Sequence, residues 1–375
     1  MEKCFGIINH REVESNFGSL CRNRPVYMLP YGGRYRVVDI ILSNMVANNI
    51  RNVALFTGEK IRSTMDHISD GSPWGLNSRF NGLTLFPPIK QHSSIERLGD
   101  IANLYSSIDY FKSLKEQIAF LCQGNVMFMA DMKPAYDHFI ETDTDIMYFY
   151  VRKHDQIGEF INTDKLHLDE EGNLTDIGLN LGMDIDFNMS TNAVLIKKDV
   201  LIDIINDAVE TGDSQSLKAA IIKNKDKYKV KGYEIEDNVK IINDIQSYYK
   251  ANMELLEKEK FDKTFNSYGK VKTKTKDEPP TLYERDVQVK NSLIANGCEI
   301  RGDVENSIIF RGVVIEKGVV VRNSIIMQKS IIRKGSILIN TILDKYSSIG
   351  ENVNLMGTRV NPYIVDKAGI IEGNQ

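Results

Sequence analysis

The sequence predicts a two-part α/β protein: a mostly parallel sheet flanked by helices, followed by a parallel β-helix. Three observations predict it. Short apolar runs alternate with helical patterns from residue 1 to about 255, apolar residues then recur every six positions, and a charged, polar stretch separates the two regimes. Strands alternating with helices imply βαβ units, a largely parallel sheet and a ligand site at the carboxyl ends of its strands.

Phe5–Ile8, Val53–Thr57, Ile118–Cys122, Asp145–Val151 and Ala193–Ile196 read as buried strands, rich in Ile, Val, Phe and Tyr. Ile101, Leu104, Tyr105 and Ile108 stand at i, i+3, i+4 and i+7, with Asp100 placed as N-cap. Leu201, Ile204, Ile205 and Ala208 repeat that spacing after Asp199. The stretch from Glu257 to Val289 includes Lys270, Lys272, Lys274 and Lys276 on alternate positions, then Pro279-Pro280. Its lysines fit either an anion site or a solvated interdomain linker, and the linker reading gives segments 1–256, 257–289 and 290–375. Beyond it Val313, Val319, Ile325, Ile331, Ile337, Leu343 and Ile349 stand six residues apart, beside a second row from Ile308 through Val314, Val320, Ile326 and Ile332 to Leu338. That step is the hexapeptide repeat of a parallel β-helix, whose coils bury their apolar edges by stacking.

Composition narrows the function. Among 375 residues, 47 Lys and Arg against 51 Asp and Glu leave a net charge of −4, so the electrostatic footprint of a nucleic-acid binder is missing. No run of 18 apolar residues predicts a membrane span. The start, Met1 to His10, turns polar too soon for a secretory leader. Cys4, Cys21, Cys122 and Cys298 lie far apart without a CxxC pair, as reduced cytoplasmic thiols do. The expectation is a cytoplasmic protein without nucleic-acid or membrane partners.

Motifs for catalysis are sparse. His10, His67, His92, His138, His154 and His167 are scattered without a metal-binding pair, and none falls in the hexapeptide region, which argues against an acyltransferase with a coil-borne base. Neither GxGxxG nor GxxxxGK[ST] occurs. The turn Asn9 to Ser15 after the first strand has no glycine and carries Glu12 and Glu14, which would repel a polyphosphate. The most loaded segment is Arg22-Asn23-Arg24-Pro25 with Arg34 and Arg36 beyond Gly32-Gly33, four arginines within 15 residues. They fit a site gripping a phosphorylated ligand through bidentate contacts, or surface arginines paired to acids such as Asp39.

Several segments resemble a known family, the bacterial ADP-glucose pyrophosphorylases (glucose-1-phosphate adenylyltransferases). Pro30-Tyr31-Gly32-Gly33-Arg34-Tyr35-Arg36 through Asp39, Leu42, Ser43 and Asn44 is similar to PFGGKYRxxDxxLSN. Asp66-His67-Ile68 through Pro73-Trp74-Gly75-Leu76-Asn77-Ser78-Arg79 is similar to HIxxGxPWDLxR, and Ser247-Tyr248-Tyr249-Lys250-Ala251-Asn252-Met253 to SYYxANM. Asn291 to Ile294, Gly297-Cys298 and Val304 to Ile308 resemble the opening of the family's β-helix. The resemblance implies a Rossmann-like nucleotidyltransferase domain followed by a left-handed β-helix.

The departures from that family concern its active site. Its GGGxGTRLxxLT loop is replaced by Ile8 to Leu20, and Val26 stands where AKPAV has its phosphate-binding lysine. GTADA becomes Gly99-Asp100-Ile101-Ala102-Asn103, the metal-binding aspartate of the GD dipeptide becomes Asn125, and that of DVGT aligns on Ile241. The sugar-phosphate lysine of FxEKP has no counterpart near Leu174–Asn180. Adenylyl transfer needs positive donors and Mg²⁺ where charge develops, and losing a single such interaction commonly costs about 3–4 kcal/mol. By this resemblance no catalytic or metal residue is expected, no cofactor is expected, and Arg22, Arg24, Arg34 and Arg36 remain as a phosphate or effector site. The resemblance implies a silent or strongly impaired regulatory subunit of the D type, joined to a catalytic ADP-glucose pyrophosphorylase subunit in a hetero-tetramer, with a phosphorylated small molecule as a further partner. The alternative is an active enzyme with a rebuilt site that uses Mg²⁺ and an acid such as Asp131; a plain scaffold is the third reading.

Overall fold

The computed structural model describes residues 1–10, 13–78, 82–88 and 99–373. Glu12 of the first turn and Arg79 of the tryptophan motif lie outside the described residues, as does His92. The chain forms two compact units, Met1–Arg11 with Ile41–Ile241 and Tyr268–Lys270, and Glu12–Ile40 with Ile242–Ser267 and Val271–Gln375. This division by compactness cuts the chain at other places than 256 and 289. Residues 257–289 themselves hold a helix, Lys258–Phe265, and the first strand of the β-helix, Leu282–Tyr283.

The first unit is built on a nine-stranded sheet. Cys4–Asn9 is buried throughout and lies parallel to Val53–Phe56 on one side and Ile118–Gln123 on the other. Leu83–Phe86 extends the parallel part, and Val230–Glu234 runs parallel to Ile146–His154. The long strand Asp186–Lys197 is antiparallel to Ile118–Gln123, Ile146–His154 and Asp164–Leu168, and Leu174–Leu179 closes that edge, again antiparallel. The sheet is therefore parallel in its first half and mixed in its second. The short link between Leu168 and Leu174 leaves no room for a crossover, so those two strands pair antiparallel.

Helix Lys198–Thr211 buries Val200, Leu201, Ile204, Ile205 and Ala208, the stripe its spacing predicts. The earlier helix is shorter than expected. Gly99–Ser106 buries Ile101 and Leu104, Tyr105 points outward, and Ile108 starts a separate helix, Ile108–Ser113. Asp100 does not cap its own helix. It lies inside the first turn, and its carboxylate accepts the Leu217 N–H of another helix at 3.0 Å.

The second unit is organised around the β-helix, three parallel sheets of six, five and five strands. Ile315 pairs with Ile332 and Ile332 with Ile349, so one coil takes 17 residues. The interior column runs Val304, Ile309, Ile315, Val321, Ile326, Ile332, Leu338, Leu343, Ile349, Leu355. Its steps are six, six and five, which corrects the unbroken six-residue rows. Those rows slip out of phase once per coil, so Ile331 and Ile337 of the first and Val314 and Val320 of the second are only half-buried. Ile308, Ile325 and Ile342 point away from the column and are still fully buried. Other parts of the same unit pack there: the Gly33 backbone lies over Ile308, and the Tyr249 hydroxyl donates to the Asn323 carbonyl. No helix among the described residues is long and apolar enough to cross a membrane.

Candidate functional site

Two places carry the residues singled out by sequence. In the first unit it is the carboxyl edge of the sheet. Asn9 and Gln123 end side by side on parallel strands, and the Gly124 N–H donates to the Asn9 carbonyl at 2.9 Å. Asn125 follows, 1 % exposed. The next two residues form a strand that pairs with Lys240–Ile241, with Ile241 opposite Val126. The fold thus brings Asn125 and Ile241 to neighbouring positions, although 115 residues of sequence lie between them. Magnesium prefers hard anionic oxygens, and an amide beside a hydrocarbon side chain supplies none, so this pair does not fit the ion.

Beside the first strand stands a carboxylate. The Asn9 Nδ2 donates to Asp100 Oδ2 at 3.0 Å, while the buried Asn9 Oδ1 has no hydrogen-bond partner. Burial pushes the Asp100 carboxyl up to about 6, against the opposing pull of the Leu217 and Asn9 hydrogen bonds. Near neutral pH a negative charge therefore stands beside the end of the first strand, where a polyphosphate would need positive donors. Gly58 closes against the His10 ring, so even that glycine lies under a side chain. Near Leu174–Asn180 the neighbouring strand offers Lys165, which is already tied to Asp184.

In the second unit the motifs PYGG and SYYxANM hold one another. Tyr248 donates its hydroxyl to the Pro30 carbonyl, Tyr31 donates to the Ala251 carbonyl at 3.2 Å, and Asn252 Oδ1 accepts the Gly32 N–H at 3.0 Å. Gly32 and Gly33 have φ of 58° and 77°, left-handed values that glycine adopts without strain. The hairpin they form carries Arg34 and Arg36, and Asp39 accepts the Arg36 backbone N–H at 3.0 Å.

The four arginines do not act alike. Arg22 is exposed and paired to Asp366 at 3.1 Å. Arg24 is 4 % exposed and forms a buried ion pair with Asp344, with Met327 Sδ 4.0 Å away. Arg34 is exposed and Arg36 half-buried, and they face further cations that the sequence reading did not name: Lys276, Arg311 and Lys345. Among the described residues Arg34, Lys276, Arg311 and Lys345 form no ion pair, and Lys345 is only 9 % exposed. Burial and then the Arg34 guanidinium push Arg311 down, and burial followed by Arg311 and Arg36 pushes Lys276 down. Burial, then Arg36 and Arg24, pushes Lys345 down to about 6. Cations that depress one another in this way are poised for an anion. The alternate lysines of 270–276 thus contribute Lys276 to a basic cluster.

The missed residues had a signal of another period. Arg311, Gln328 and Lys345 stand 17 residues apart, one coil each. At about 4.8 Å per strand, Arg311 and Lys345 are roughly 10 Å apart along that ladder.

Comparison with known proteins adds the lineage. Residues 279–370 match the family model of the GlmU-like C-terminal hexapeptide, in keeping with a left-handed β-helix. The chain is 33% identical over 369 residues to the glycogen biosynthesis protein GlgD of Bacillus subtilis (strain 168), covering 98% of this chain and 96% of that one. The chain belongs to the GlgD family. The GlgD of Geobacillus stearothermophilus is 34% identical over 99% of this chain and 98% of its own. A glucose-1-phosphate adenylyltransferase of Bacillus cereus is more distant, 24% identical over 333 residues that cover 85% of this chain and 86% of the enzyme. The ADP-glucose pyrophosphorylase resemblance therefore holds, with the GlgD proteins nearer than the transferases.

Proposed function

We propose that this GlgD-family chain is a regulatory, catalytically silent or strongly impaired subunit of a glucose-1-phosphate adenylyltransferase in glycogen biosynthesis. It associates with a catalytic subunit in a mixed tetramer and changes that subunit's rate by stabilising one of its arrangements. The observation that carries this reading is the pair Asn125 and Ile241, held together at the sheet edge in place of two carboxylates. Asp100 at the same edge supports it, because it adds negative charge where a nucleoside triphosphate would lie. The small-molecule partner is a phosphorylated effector received by Arg34, Arg36, Lys276, Arg311 and Lys345. That assignment is supported by the gathering of Arg34, Lys276, Arg311 and Lys345, with Glu278 as an acid beside two of them, next to a hairpin fixed by the SYYxANM helix.

The test is ADP-glucose synthesis from ATP and glucose 1-phosphate by the purified chain, by a catalytic subunit, and by the two together. The chain alone gives no turnover above background, and the mixture differs from the catalytic subunit alone in rate or effector response. Robust synthesis by the lone chain, or a mixture indistinguishable from its catalytic member, sinks the proposal.

A further inference from the structure

We propose that the first unit carries a self-association surface: an aliphatic patch on the loops 155–163 and 179–185 that packs against the same patch of a second copy of this chain. This goes beyond the regulatory reading and does not rest on it. Ile157, Ile161, Leu179, Leu181, Met183 and Ile185 are all exposed there, Ile157 to 85 %, Met183 to 87 % and Leu181 to 66 %. One loop follows the strand Ile146–His154, and the other joins Leu174–Leu179 to Asp186–Lys197. The two form a single surface. The Asp155 N–H donates to the Ile185 carbonyl at 2.7 Å, and the Asn162 N–H to the Asn180 carbonyl and the Asn180 N–H to the Thr163 carbonyl at 2.9 Å each. Ile161 packs over a glycine from each loop, so closely that a Cβ would stand 2.9 Å from it at Gly158 and 3.2 Å at Gly182. The Asp155 carboxylate accepts the Glu159 and Phe160 N–H groups at 2.8 Å, which fixes the first loop.

The chemistry of the patch selects its occupant. From Leu181 to Asp186 apolar side chains take alternate positions, and the acids between them are tied back to the sheet, Asp184 to Lys165 and Asp186 to His154 at 2.7 Å. The apolar members are left in water, roughly a few hundred Å² of them, the upper end of what a monomer leaves uncovered. One side of a standard interface covers about 800 Å², so the patch has the size of an apolar interface core with a polar rim around it. A core of aliphatic side chains alone is the composition of contacts between identical subunits, whereas interfaces between partners that also live apart are no more apolar than the rest of the surface. A two-fold contact sets one patch against its own copy, so the rim must not repel itself. Here the pairs Lys165–Asp184 and Lys153–Asp237 place both signs side by side. Their lysines are held by acids, where an anionic bilayer would need them uncommitted.

The full chain is followed by sedimentation velocity over a wide range of concentration, beside the double variant Ile157→Asp, Met183→Asp. Both positions stand in solvent, so the variant keeps the circular dichroism of the native chain. The native chain should associate as concentration rises, and the variant should show half its mass at the same concentration. Cys4, Cys21, Cys122 and Cys298 are buried, so Ile157→Cys or Met183→Cys places one accessible thiol on the patch. A short bis-maleimide should then join two copies. A native chain that stays monomeric at every concentration, association unchanged in the double variant, or no cross-link from either cysteine overturns the pairing. So does a complex with a catalytic subunit that the double variant loses while its self-association persists, since the patch then belongs to that subunit. The regulatory reading is judged separately, by the mixed-subunit assay of ADP-glucose synthesis.

Discussion

Asp100 shows how one residue can be read correctly as important and wrongly as to its task. Its place before an apolar stripe suggests an N-cap, yet its carboxylate joins three elements through the Leu217 N–H and Asn9 Nδ2. Its pKa of about 6 in the folded chain lies above the ordinary aspartate range, so the folded state binds the extra proton and stability falls as pH rises through that interval. Asp100→Asn should abolish that slope in urea unfolding measured from pH 4 to 6.5. At neutral pH the variant should be no less stable than the native chain, because the Asn9 amide can turn its unpartnered Oδ1 toward the new donor. The buried pair Arg24–Asp344 behaves differently. Removing either partner strands a charge, and Asp344→Asn or Arg24→Met should each cost about 3–5 kcal/mol by chemical denaturation, with the double apolar replacement recovering much of it. Arg34 and Arg36 stood out in sequence because they follow a glycine turn, whereas nothing in the residue type of Lys345 announces burial.

At the scale of the element, the β-helix was legible as a repeat but not in its true period. An unbroken six-residue step would make Ile331 as important as Ile332. The 17-residue coil puts Ile332 in the interior column and leaves Ile331 half-buried outside it. Ile332→Ala should therefore cost about 2–5 kcal/mol, and Ile331→Ala clearly less, in paired denaturant titrations. Equal losses would restore the six-residue reading. The strands of the sheet were legible because buried runs of Ile, Val, Phe and Tyr seldom fit anything else. Their directions were not, since direction depends on whether a link is long enough to cross over. The glycine hairpin offers a sharper test: Gly33→Ala places a side chain at φ of 77° facing the β-helix backbone at Ile309, and should lower the melting temperature.

At the scale of the whole molecule, the proposed role requires that catalysis be lost in several places at once. On that proposal, placing carboxylates with Asn125→Asp and Ile241→Asp together should not give the lone chain ADP-glucose synthesis, because the sequence also lacks segments resembling the family's glycine loop and FxEKP lysine. Turnover in that double variant, followed as pyrophosphate release, would mean the remaining edge is more competent than its charges imply. The division into compact units also departs from the order of the chain. Glu12–Ile40 and Ile242–Ser267 belong with the β-helix, so the arginine segment and the SYYxANM helix serve the second unit rather than the sheet they flank in sequence.

Taken alone, the sequence determined the two architectures and the kinship with the pyrophosphorylases, since periodicity and residue identity are local properties of a string. Only tertiary structure decided which cations converge. Lys276, Arg311 and Lys345 come from segments as many as 69 residues apart, and their mutual repulsion exists only once stacked coils bring them within electrostatic reach of Arg34 and Arg36.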